Sequence, residues 1–127
     1  MLRFASNETV TEDQSDGLFR VHLKGPFFLT QALLPLMTDG GHIVNRVRAT
    51  SRVATAGVAP YASFKAGLEV LTRYQAKEFA ARGIRANSIA PGPIRTELGG
   101  GLNDAFEACW PGKQRLAALV KRRRSAG

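Results

Sequence analysis

Two short runs limit what this chain can build: 42-HIVN-45 and 84-IRANSIA-90. Both are apolar and bounded by glycine or proline, and both have the length of a buried strand rather than of a helix. Each follows a longer stretch with helical spacing. Ahead of the first, Leu18, Val21, Gly25, Phe28 and Ala32 recur every three or four residues, as one stripe of a helix should. Thr11 offers that helix a capping hydroxyl, Glu12 and Asp13 place acids at its positive end, and Asp39-Gly40-Gly41 supplies its stop. Gly25-Pro26 lies inside it and is expected to bend or split it, because proline lacks the amide donor and crowds the preceding turn. Ahead of the second run, a helix is expected over roughly residues 61–82. Phe64, Leu68, Leu71 and Phe79 form its apolar face and Arg82-Gly83 ends it. The order helix, strand, helix, strand is that of an α/β domain with a parallel sheet, its crossovers laying helices over the sheet.

The remaining composition narrows the function classes. A chain of 127 residues holds one modest domain, with no internal repeat. The net charge of +8 invites a nucleic-acid reading, but the excess is local. Six of the 18 Lys and Arg fall within residues 112–127 without an acid, leaving 12 basic against 10 acidic residues in the body. The run 121-KRRR-124 reads as the solvated end of a basic, disordered tail over residues 107–127, and nucleic-acid binding is not expected. The lone Cys109 excludes an internal disulfide and a cysteine-rich zinc module, so no metal site is expected. No secretory signal opens the chain, and the most apolar stretch, 25-GPFFLTQALLPLM-37, is too short and interrupted to cross a bilayer. A cytoplasmic protein is the expectation.

Chemistry concentrates in 61-YASFK-65. Tyr61 and Lys65 are four apart at the start of a helix and so share one face. An ammonium close to a phenol favours the phenolate and makes the tyrosine a better acid/base. The pair comes after the end of a strand, where parallel sheets bind ligands. The second strand ends in 91-PGPIRT-96, where glycine lets the backbone approach a ligand and Thr96 offers a hydroxyl; a plain turn is the alternative.

With these residues in place, the sequence resembles the short-chain dehydrogenase/reductase family. The resemblance spans roughly residues 9–106 and rests on 21-VHLKGPFFLTQALLPLM-37, 41-GHIVN-45, 61-YASFKAGLEVLTRYQAKEFAARGIRANSIAPGPIRTE-97 and 99-GGG-101. It implies a Rossmann-like, doubly wound parallel sheet with helices on both faces, here incomplete over residues 1–106. It implies NAD or NADP as cofactor and a small alcohol or carbonyl compound as substrate. Tyr61 would be the general acid/base and would also contact the cofactor, and Lys65 would favour its phenolate and hold the nicotinamide ribose. Pro91, Gly92, Ile94 and Thr96 would line the nicotinamide side, and the two long helices would form a homo-oligomer interface.

Three departures from the family pattern stand out. The glycine-rich turn that cradles a pyrophosphate at a helix N-terminus is not among these residues. Arg48 stands where the family has its catalytic serine, and a guanidinium cannot both donate and accept as a hydroxyl does. By strand parity Thr50 would share the side of Arg48, while Ser51 would face away. His22 takes a position where the family often has asparagine. The chain therefore reads as the catalytic portion of an alcohol/carbonyl oxidoreductase, truncated and of little or no activity by itself. The alternative is a non-catalytic fragment that associates with other chains through its helices.

Overall fold

The computed structural model describes residues 6–52, 54 and 56–92. The chain divides into two units at Gly92–Pro93, and helices and strands are described for the first alone. Ile94, Thr96 and the expected boundary between residues 106 and 107 lie outside the described residues.

Helix α1 (Glu12–Phe19) begins where the sequence places it. The Thr11 hydroxyl accepts from the Gln14 amide, and the Gln14 side chain accepts from the Thr11 amide, a reciprocal capping box. The helix then widens. Arg20–Lys24 form a π-helical turn, closed by the Gly25 amide on the Arg20 carbonyl, and α2 (Gly25–Leu33) resumes with Pro26 in its first turn. This is how the chain accommodates the proline. The wide turn restarts the α-helix just before Pro26, which then occupies a position where its missing donor is tolerated. The end of α2 differs from expectation: a 3₁₀ turn at Leu34–Leu36, containing Pro35, replaces the α-helix before Asp39-Gly40-Gly41 is reached.

The apolar stripe also differs from expectation, and none of its residues is fully buried. Val21 and Phe28 are exposed, Phe19, still 37% exposed, packs on Phe64 at 5.6 Å, and Leu23 lies against Gly67. The even spacing through Leu18, Val21 and Phe28 presumes uninterrupted α-helix, and one wide turn rotates α2 relative to α1. Gly25 makes the turn possible, since a Cβ there would stand 2.9 Å from the Arg20 carbonyl oxygen. In an ordinary helix interior, glycine to alanine is favourable by up to about 1 kcal/mol. Here Gly25→Ala is expected to destabilise by about 1–2 kcal/mol, because the added methyl must displace backbone. Thermal unfolding of the variant reads the sign directly.

Strand β1 (His42–Arg46) pairs in parallel with β2 (Arg85–Ile89), His42 opposite Arg85 and Arg46 opposite Ile89. Between them runs α3 (Ala59–Glu78), continued by a 3₁₀ turn at Ala80–Arg82 and by Gly83 in the left-handed conformation, φ 64°. The helix covers one face of the pair. There Asn45, Val47, Ile84 and Ala86 are buried. On the opposite face Val44 and Ile89 are 60% and 51% exposed. The end of α3 is tied back to α2. The Arg82 guanidinium donates to the Leu34 and Met37 carbonyls and to the Asp39 carboxylate, satisfying acceptors a helix terminus leaves open.

The sheet-facing side of α3 is more polar than its leucines and phenylalanines imply. Leu68, Thr72 and Gln75 are buried, while Phe64, Leu71 and Phe79 are only half-buried. Asn45 explains the difference: its amide donates to Thr72 Oγ1 at 2.9 Å and to Gln75 Oε1 at 2.8 Å. Thr72 in turn donates to the Leu68 carbonyl. The side-chain amide of the strand is thus satisfied by two polar groups one helical turn apart, which makes its burial tolerable.

Candidate active site

Three elements meet at the carboxyl end of β1. Helix α3 starts at Ala59 with Pro60 in its first turn, so Tyr61 and Lys65 project from its opening turns on one face. The Lys65 ammonium lies 5.9 Å from the Tyr61 ring centre and donates to the Arg46 carbonyl at 2.8 Å. The π turn delivers the third member. The His22 ring meets Tyr61 edge-on, 4.8 Å between centres and 89° between planes. The structure therefore joins Tyr61 and Lys65 as their spacing predicts and adds His22, 39 positions earlier. Only the replacement of asparagine by histidine hinted at that contact. The widened turn that aims the ring leaves no regular spacing to read.

Charge is held reluctantly here. Burial, then the nearby Arg46 and Arg48 charges, lower the Lys65 pKa below the ordinary lysine range. Burial, then Lys65, lower that of His22. Glu69, one turn beyond Lys65, is occupied elsewhere. It accepts from Arg52 at 2.8 Å, lies 3.8 Å from Arg73, and is held below the usual carboxylate range chiefly by the Arg52 hydrogen bond.

The stretch after β1 departs from the strand parity expected of it. Arg48 is still extended, but a 3₁₀ turn at Ala49–Ser51 comes next, so alternation ends before Thr50 and Ser51. The Ser51 hydroxyl lies 2.8 Å from the Arg48 carbonyl and 3.3 Å from Glu69, and is engaged there. Thr50 Oγ1 is buried without a partner among the described residues. Arg48 itself is half-buried. At the end of β2, Pro91 is half-buried and Gly92 exposed. A groove of about 900 Å³ runs alongside, lined by all five residues of β1 together with Arg20, Leu29, Leu33 and Lys65 among others.

The family model for enoyl-(acyl carrier protein) reductase matches residues 3–126. A 3-oxoacyl-[acyl-carrier-protein] reductase of Chlamydia pneumoniae is 33% identical over 103 residues, which make up 80% of this chain and 42% of that protein. Among solved structures, a short-chain dehydrogenase/reductase of Serratia marcescens aligns with a TM-score of 0.77 at 28% identity, over 85% of this chain and 44% of that one. A landomycin C-6 ketoreductase with bound NADP and rabelomycin aligns with a TM-score of 0.71 at 33% identity, over 79% and 40%. The chain belongs to the short-chain dehydrogenase/reductase family, and its described residues form part of the Rossmann-type fold of those neighbours. It spans about two fifths of the length of these relatives.

The family implies a nicotinamide dinucleotide, and the residues at the two strand ends fit its nicotinamide half. Lys65 uses one of its three N–H donors on the Arg46 carbonyl, and among the described residues the other two have no partner. A Cβ at Gly92 would meet nothing within 4 Å, so the backbone there is open to close approach. Among the described residues no helix is long and apolar enough to cross a membrane.

Proposed function

We propose that this chain carries the acid/base half of an NAD- or NADP-dependent oxidoreductase that interconverts an alcohol and a carbonyl compound. One observation carries the reading: Tyr61 and Lys65 sit together at the carboxyl end of a parallel strand, with the lysine anchored to that strand's last carbonyl. The cofactor supplies or accepts the hydride. In reduction Tyr61 Oη gives its proton to the carbonyl oxygen, and in oxidation it takes the alcohol proton back. The Lys65 charge stabilises the phenolate left behind, and its free donors hold the ribose. The edge of His22 restrains the Tyr61 ring, so that the hydroxyl keeps its aim. Pro91 and Gly92 border the nicotinamide side; Ile94 and Thr96 are assigned to it by the family resemblance alone, and the adenosine side is assigned to no residue of this chain.

The test is saturable binding of NADPH or NADH by the full chain, with loss of nicotinamide absorbance when a ketone is added. Binding of neither nucleotide would overturn the proposal. A second reading draws on α2, where Phe28 and Leu29 are 52% and 60% exposed, and on Leu36 just beyond it, at 79%. Apolar surface of this kind favours association between copies through the helices. Light scattering that gives a multiple of the chain mass, without nucleotide binding, would select it.

A further inference from the structure

We propose that the end of β1 and the start of α3 bind a carboxylate or phosphate of the substrate, held by Arg46 and Arg48 beside Lys65 and Tyr61. This rests on the oxidoreductase reading and narrows its substrates to carbonyl or alcohol compounds with an anionic group near the reacting carbon.

The backbone sets the geometry. The Val47 amide still bonds across to the Ile89 carbonyl at 2.9 Å, and Arg48 is extended, φ −145° and ψ 152°. Val47 is buried against α3 at 1% exposure. Alternation then sends Arg46 and Arg48 out of the opposite face, their Cα atoms about 7 Å apart. The Lys65 ammonium reaches the same end of the strand from α3, fixed to the Arg46 carbonyl at 2.8 Å and 5.9 Å from the Tyr61 ring centre.

Nothing acidic among the described residues answers these charges. Among the described residues the ion pairs are Arg52 and Arg73 with Glu69 and Arg82 with Asp39, and none includes Arg46, Arg48 or Lys65. The groove that Arg46 and Lys65 line also receives Arg20 and His42 and no carboxylate. Both arginines depress the Lys65 pKa, a sign that the three charges share one neighbourhood. Such crowding stabilises no fold, because like charges repel. It does concentrate positive potential where a ligand would arrive. Guanidinium forks fit the paired oxygens of carboxylate and phosphate, and a position beside Tyr61 brings such an anion close to the oxygen being protonated. Arg48 thus holds the substrate by its charged group, instead of touching the reacting oxygen as a serine hydroxyl would.

The experiment is a titration of the full chain with sodium phosphate, and separately with sodium acetate, at constant ionic strength. Backbone amide shifts in the NMR spectrum report binding. A saturating change centred on Arg46, Arg48, Tyr61 and Lys65 with either anion is expected. Arg48→Ser should weaken it about tenfold, equivalent to roughly 1.4 kcal/mol. Arg48→Lys keeps the charge without the fork and guards against a folding defect in the serine variant; it should weaken binding several-fold with an unchanged circular dichroism spectrum. Arg52→Ser, at the arginine already paired with Glu69, should leave binding unchanged. Shifts that grow linearly with anion, or that respond equally to the Arg48 and Arg52 changes, overturn the proposal. If NADPH binds but neither anion does, the anion site falls and the oxidoreductase reading stands. If an anion binds at these residues and no nucleotide does, the anion site stands and the oxidoreductase reading falls.

Discussion

Tyr61→Phe is expected to lower carbonyl reduction by about 10²–10⁴-fold, the usual contribution of a positioned general acid. The effect should fall on turnover and not on assembly. Phenylalanine keeps the ring that meets His22 edge-on and lies under the Lys65 ammonium, so the packing around it survives. Only the transferable proton is lost. Rate and affinity therefore separate: NADPH affinity should stay within about threefold, a fraction of the 1.4 kcal/mol that marks a tenfold change. Single-turnover kinetics with saturating cofactor measures the first quantity and fluorescence titration the second. A loss of less than about tenfold would mean that the proton comes from another group and that Tyr61 is packing.

Asn45→Ala should be the most destabilising single change within the described core, at about 2–4 kcal/mol. Each buried polar group left without its partner costs roughly 1–3 kcal/mol, and a small cavity adds to that. The alanine would deprive both Thr72 Oγ1 and Gln75 Oε1 of the donor they share. Urea unfolding should show a lower midpoint with an unchanged slope, the mark of lost stability without a change in exposed surface. The double variant Asn45→Leu with Gln75→Leu should recover part of the loss, because paired apolar groups need no partner. No recovery would mean that the network acts through geometry rather than through hydrogen-bond satisfaction.

The features legible in the sequence are local or periodic. The Thr11–Gln14 cap, the two strands, Gly83 as a helix stop and the Tyr61–Lys65 spacing each depend on neighbours within a few positions. Those arrangements reappear in the structure. The features that escape it need knowledge of a distant partner or of a break in period. Gly25-Pro26 announces an interruption of the helix, yet its consequence, His22 turned onto Tyr61, depends on which face α3 presents. Asn45 reads as the last residue of an apolar strand, and Thr72 and Gln75 as the margin of a helix. Only their joint burial makes each intelligible. Strand alternation places Thr50 and Ser51 only while the strand lasts, and the 3₁₀ turn at Ala49–Ser51 ends it.

The wide turn at Arg20–Lys24 has a consequence for how this segment tolerates changes in length. An α-helix advances about 100° per residue, so one residue more or less before α2 swings everything upstream through that angle. Removing a single position between Arg20 and Lys24 would let the helix run regularly through Gly25, with no change in composition worth noting. It would also carry His22 and Phe19 away from Tyr61 and Phe64 together. Substitutions along α1 alter one contact at a time, whereas a one-residue deletion here resets the angular phase of the whole helix against the site.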